Sequence, residues 1–140
     1  MKKKRLEIDY SYDFELIGVI SSAKGYKLAW EINHLLGVHL VKEPDVVIRF
    51  NSKLTGTYSH FAHDGLHHTL RLFRNKPNEQ EAVKNLLTQE FPHFDYIIMS
   101  QGADKIESNR LQEYLRNISS VELVAFIPLD ALKEKDYFIF

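Results

Sequence analysis

The sequence predicts an α+β fold: a single globular domain over residues 1–140, in which a mixed, mainly antiparallel sheet with a central β-hairpin carries about three helices. Three observations carry that prediction. Several segments alternate apolar and polar residues with the period of a half-buried strand, and others repeat apolar residues with the period of a helix. Between two strand-forming runs stands Asp64-Gly65, a pair suited to a tight hairpin turn.

Taken in order, residues 5–12 place Leu6, Ile8, Tyr10 and Tyr12 at alternate positions, the pattern of a strand. The run FELIGVI at 14–20 fits either a short buried strand or an apolar helical turn capped by Asp13. From Ser22 a helix follows, with Leu28, Ala29, Ile32, Leu35 and Leu36 as its buried stripe and Gly37 as a left-handed stop. Tyr26, Trp30 and Asn33 form a neighbouring stripe, which puts the one tryptophan at the border of the core. Residues 46–50 read as a strand leading into the hairpin. After Pro77, Asn78 and Glu81 make a capping box for a helix with Val83, Leu86, Leu87 and Phe91 inward, stopped by Pro92. FDYIIMS at 94–100 is a buried strand. Asp104 and Glu107 open a further helix, with Ile106, Leu111, Tyr114, Leu115 and Ile118 as its buried stripe, and VELVAFI at 121–127 is the last strand. Strand, helix and strand over 94–127 are long enough for a parallel crossover. The apolar end Tyr137-Phe138-Ile139-Phe140 should dock on a sheet edge or groove, in this chain or in a second copy.

A chain of 140 residues buries roughly two-thirds of the surface its unfolded form exposes, so a core forms without covalent staples. Cysteine is absent, which excludes disulfides, thiolate nucleophiles and cysteine-ligated zinc. The basic start MKKKR is not followed by an apolar leader, and no run approaches the ~20 apolar residues of a membrane span. The expectation is a cytoplasmic protein with no membrane partner, whose basic start is a solvated end.

The formal net charge of -1 disfavours nucleic acid as a partner, yet charge is unevenly spread. Residues 46–76 hold Arg49, Lys53, Arg71, Arg74 and Lys76 against Asp64 alone, whereas residues 77–140 hold six bases against eleven acids. A two-residue loop at Asp64-Gly65 would pair His63 with Leu66, Phe61 with His68 and Tyr58 with Arg71. Alternation then turns Phe61, His63, Leu66, His68, Leu70 and Leu72 toward the core. The opposite row, Tyr58, His60, His67, Thr69, Arg71 and Phe73, looks outward. Of these, Tyr58, His60, His67, Arg71 and Phe73 are the candidate binding surface: basic, aromatic, and suited in residue type to a planar or anionic ligand or a protein partner.

Four of the seven histidines, His60, His63, His67 and His68, fall within this hairpin. Imidazole clusters suit zinc, copper or nickel, but strand alternation leaves two candidates per face where a closed zinc site needs four ligands. His34, His39, His93 or acids from elsewhere could complete a site, but nothing in the sequence assigns them to one. No metal ligand, catalytic residue or cofactor is therefore assigned. No phosphate-binding loop, dinucleotide fingerprint or nucleophile elbow occurs, and in SQGAD at 100–104 Asp104 would occupy the helix N-H groups itself.

The stretch YDFELIGVISSAKGYKLAWEINHLLG at 12–37 resembles the N-terminal signature of the small bacterial IPExxxD family, and FIPLDALKEKDYFIF at 126–140 occupies the place of its naming motif. Ile127 and Pro128 match that motif, while Leu129 stands where it has Glu and Lys133 where it has Asp. The resemblance implies a compact bacterial protein and carries over no activity or site. Together these features predict a non-catalytic binding or interaction module, a homodimer through the sheet face or an edge near the hairpin. The competing reading builds a metal or small-anion site, catalytic or not, on the histidine-rich hairpin.

Overall fold

The two most buried strands lie side by side inside the sheet. They are β1 (Phe14–Ser21) and β5 (Tyr96–Gln101), paired antiparallel with Leu16 opposite Met99 and Gly18 opposite Ile97. Strands covered on both faces read as near-continuous apolar runs, and FELIGVI is accordingly a strand. Its Gly18 has a packing role: a Cβ there would lie 2.3 Å from the Phe94 ring, so only glycine lets that ring lie against the strand.

The computed structural model describes residues 13–78 and 84–138; the expected strand over 5–12 lies outside them. From β1 the chain passes through α1 (Gly25–Leu36) into a meander of β2 (Val41–Arg49), β3 (Thr55–Asp64), β4 (Thr69–Arg74) and β5, then through α2 (Ser108–Arg116) to β6 (Val121–Ile127). The sheet order is β2-β3-β4-β5-β1-β6, and every neighbouring pair is antiparallel. The expected mixed sheet is thus corrected to an antiparallel one. β5 and β6 do run in the same direction around the α2 crossover, but β1 lies between them and pairs with both. Its place between two partners leaves β1 no free edge.

The helix count is also corrected, to two α-helices among the described residues rather than about three. Residues 84–94 are irregular, and Glu81 and Val83 of the expected capping box and stripe lie outside the described residues. The Asn78 Nδ2 donates to Asp45 and to Thr57, at 2.9 Å each. Buried Asn75 organises the segment that follows. Its Oδ1 accepts the Thr88 N-H at 2.8 Å and the Thr88 hydroxyl at 3.0 Å, while its Nδ2 donates to the carbonyls of Phe91 (3.1 Å) and Phe94 (2.9 Å). Helix α2 begins later than Asp104, because its cap is tertiary: the Ser108 N-H donates to Glu15 Oε1 of β1 at 3.1 Å. Gly37 ends α1 in the left-handed region at φ 69.

Both faces of the sheet are covered. On one, α1 and α2 pack Leu28, Ile32, Leu111 and Leu115 against Ile17, Leu72 and Ile98. On the other, irregular chain around Leu87 and Phe94 and the C-terminal segment with Leu132 and Phe138 seal Tyr58, Phe73, Ile97 and Met99. Phe138 is 1 % exposed and meets Phe73 edge-on at 5.4 Å between ring centroids. The described part of the C-terminal segment therefore docks on a face of its own sheet, not on an edge; Ile139 and Phe140 lie outside the described residues.

Candidate functional site

The hairpin has a different register from the one Asp64-Gly65 suggested. Asp64 pairs with Thr69, Ala62 with Arg71 and His60 with Phe73, so residues 65–68 form the loop, closed by the Gly65 N-H on the His68 carbonyl at 2.8 Å. Gly65 does not adopt the positive φ that a two-residue loop of this type requires. The tip is held from outside instead: the His67 carbonyl accepts the Asp104 N-H at 3.0 Å. Leu66, expected in the core, is 90 % exposed at that tip. Because the shift is an even number of residues, the sorting of β3 and β4 side chains between faces survives it.

What changes is which face is open. Tyr58, His60 and Phe73 are buried, so the face expected to look outward is corrected to a second core, with only His67 of the candidate set exposed. Tyr58 donates to the Asn85 carbonyl at 2.6 Å. His60 stacks on Phe73 with ring centroids 5.0 Å apart and planes 7° from parallel. Arg71 Nη1 lies 3.0 Å from His60 Nε2, and Arg71 Nη2 pairs with Asp64 at 3.4 Å. Donation by the guanidinium requires a lone pair on Nε2, hence a neutral imidazole with its proton on Nδ1, 3.4 Å from the Pro44 carbonyl. Burial, opposed by that carbonyl, holds the His60 pKa below its ordinary 6.5.

The histidines do not converge on a metal. His63 and His68 share a face with ring centroids 5.2 Å apart, and His63 Nδ1 accepts the His39 N-H at 3.0 Å, which leaves the proton on Nε2. Among the described residues no group of three or more His, Asp or Glu could hold an ion.

An opening lies on the other, helix-covered face. A six-stranded sheet is roughly 24 Å across at the ~4.8 Å strand spacing, whereas a helix with its side chains is about 10 Å wide. Since α2 sits over β1 and β6, the two helices leave β3 and β4 partly bare beside the start of α1. The result is a cleft of about 800 Å³.

One wall is the loop from β1 into α1, fixed by three hydrogen bonds. Tyr96 donates its hydroxyl to the Ala23 carbonyl at 2.5 Å, Asp95 Oδ2 accepts the Ser21 N-H at 3.0 Å, and Ser21 Oγ accepts the Ala23 N-H at 3.1 Å. Burial raises the Tyr96 pKa against the opposing charge of Arg74, with a smaller push from Asp95, so the phenol stays a neutral donor. Helix α1 begins with no side-chain cap and no acid in its first turn, which leaves its positive end uncompensated at this wall. Phe61 of β3, Leu72 of β4 and Tyr96 of β5 line the cleft from the sheet.

Lys24, Lys42, Arg74 and Lys76 all line the cleft, against the carboxylate of Asp95 among the described residues. Lys42 is engaged by Asp45 at 2.9 Å and by the Glu43 carbonyl at 2.6 Å; its hydrogen bond to Asp45, helped by Asn78, lowers the Asp45 pKa. Lys76 lies 3.6 Å from Asp95. Lys24 and Arg74 have no carboxylate partner among the described residues. The basic island thus divides, with Arg74 and Lys76 in the cleft and Arg71 on the opposite face. Lys24 and the loop 21–24 escaped notice in the sequence, where the helix was expected from Ser22; α1 begins only at Gly25, which frees Ser22 to Lys24 to form the wall. No protein-family model matches the chain, and no curated protein matches it.

Proposed function

We propose that this is a non-catalytic binding protein that takes a small anionic ligand in the cleft beside α1. The observation that carries the proposal is the convergence of Lys24 and Arg74, without carboxylate partners among the described residues, on a loop and strand end already held in place. Preorganised donors bind an anion without first ordering the protein. The histidine hairpin, the earlier candidate for this role, is supported less well, because its basic and aromatic row is largely covered.

Titration with inorganic phosphate and pyrophosphate, followed by amide chemical shifts, tests the proposal. Saturable shifts centred on residues 22–26 are expected, weakened at least tenfold in Arg74→Glu and Lys24→Glu and reduced by added salt. Shifts spread over the surface, or unchanged affinity in both variants, would overturn it.

A homodimer is a second part of the reading. The edge strand β6 supports it, with Leu123 and Phe126 each 46 % exposed. Light scattering of the wild type and of Phe126→Lys is the test; a wild-type monomer at micromolar concentration would remove it. Among the described residues no helix is long and apolar enough to cross a membrane. We also propose membership of the IPExxxD family; the stretch that carries the resemblance, 12–37, contains the loop and helix start that wall the cleft.

A further inference from the structure

We infer that the ligand is a phosphate monoester of a small polyol, with its phosphate at Lys24 and Arg74 and its hydroxyls against a hydrogen-bonded wall beside β3. This rests on the anion-binding reading above and adds the part of the ligand that is not charged. A cleft of about 800 Å³ belongs to the range that holds whole organic ligands, about 300–1,000 Å³. A bare phosphate would leave most of it unfilled.

The anionic end is located by which cations are balanced. Lys42 pairs with Asp45 and Lys76 with Asp95, so the charge that no carboxylate offsets among the described residues is that of Lys24 and Arg74. Both stand beside Tyr96. Arg74 is its cross-strand partner, and Lys24 follows Ala23, whose carbonyl accepts the Tyr96 hydroxyl. One anionic group therefore has a place there, met by charge from two walls. The Asp95 carboxylate borders the same end, and its repulsion disfavours a second anionic group next to the first.

The body of the ligand meets a polar surface. Leu72 and Tyr96 are buried and Phe61 is half-buried, so the floor offers little hydrocarbon to a bound molecule. Beside Arg74 runs a chain of hydrogen bonds instead. The register that pairs His60 with Phe73 sets Ser59 next to Arg74. Ser59 donates its hydroxyl to Asn78 Oδ1 at 3.2 Å, Asn78 Nδ2 donates to Asp45 Oδ2 at 2.9 Å, and Lys42 Nζ donates to Asp45 Oδ1 at 2.9 Å. Lys42 is opposite Phe61, one row on from Ser59, so the chain extends about 7 Å from the row of Arg74, the rise of two strand residues.

This wall retains both kinds of hydrogen-bonding capacity. Ser59 Oγ has given its proton to Asn78 and keeps its lone pairs, and Lys42 Nζ has a third proton beyond those on Asp45 and the Glu43 carbonyl. A hydroxyl donates and accepts at once, so a polyol satisfies acceptor and donor together. A hydrocarbon body would cover these groups and leave them unpaired. A longer polyphosphate has no proton to give the Ser59 oxygen. Because the links of the chain already hold its side chains in place, binding does not have to order them.

Amide chemical-shift titration of the full chain tests the inference with glycerol 3-phosphate, ribose 5-phosphate and glucose 6-phosphate. Inorganic phosphate, pyrophosphate, hexyl phosphate and ribose are the controls. The expected result is that at least one polyol phosphate binds at least tenfold tighter than every control, with the amides of residues 22–26, Ser59 and Asn78 moving together. Ser59→Val should remove that preference while leaving inorganic phosphate within about twofold, and Arg74→Gln should weaken every phosphate compound at least tenfold. The thermal midpoint is the folding control for both variants. Inorganic phosphate, pyrophosphate or hexyl phosphate binding as tightly as the best polyol phosphate would overturn the polyol and leave the anion reading standing, as would a preference that survives Ser59→Val. Ribose binding as tightly as ribose 5-phosphate with Arg74→Gln indifferent, or failure of every phosphate compound to bind, would overturn both readings.

Discussion

The two faces of the sheet are covered by different means, and the difference locates function. One face is roofed by two regular helices, rigid rods that cannot follow the edges of a six-stranded sheet and so leave a gap. The other is sealed by irregular chain, which bends to fit and leaves Tyr58 and Phe73 without exposure. Irregular backbone needs partners for its polar groups, and the buried Asn75 amide supplies several of them. The regular roof is the open one, and the irregular roof is the tight one.

The contrast is broken most severely by removing what seals the tight face. Phe138→Ala should destabilise the protein by about 3–5 kcal/mol, the usual range for truncating a buried phenylalanine, as read by urea denaturation. A loss under ~1 kcal/mol would mean that the C-terminal segment adds little to that core. Asn75→Ala comes next, with an expected loss of about 1–3 kcal/mol because the Thr88 N-H and two carbonyls lose their buried partner. Hydrogen exchange should show residues 87–94 opening preferentially in this variant, and uniform loss of protection would count against Asn75 as the local pin.

Acid should also act on the sealed face first. The folded state holds the His60 pKa below 6.5, so below that pH the unfolded chain takes up the proton before the folded chain does. Stability contributed by neutral His60 is complete above 6.5, declines as pH falls below it, and stops declining once the lowered folded value is passed. His60→Gln should flatten that part of the stability-pH curve; an unaltered slope would show that another group is responsible. The smallest stability effect belongs to the open face. Lys24→Ala should alter stability by less than about 0.5 kcal/mol, since Lys24 is exposed and unpaired among the described residues, while weakening phosphate binding. A large loss of stability would instead make Lys24 part of the fold.

Much of the element pattern was legible in residue order. The runs at 94–100 and 121–127 became strands and Gly37 became the stop of α1; of the stripe Leu28, Ala29, Ile32, Leu35 and Leu36 the first three are buried, whereas Leu35 is exposed and Leu36 half-buried. These are local properties: side-chain period and the left-handed freedom of glycine act over a few residues. Asp104 misled, because a local cap competes with tertiary partners. Glu15 reaches across from β1 to cap α2.

The cleft was legible only in part. Arg74 and Lys76 belonged to a basic island evident in the sequence, but Lys24 lies about fifty residues from them, and only the packing of α1 on β3 and β5 brings the three to one opening. By itself the sequence determined the type of most elements and which side chains of the hairpin share a face, since strand period is indifferent to an even shift of register. Only the tertiary structure decided which of those faces would be open. That depended on how far two helices reach across six strands, and on where the chain after Asn75 and the C-terminal segment found cover.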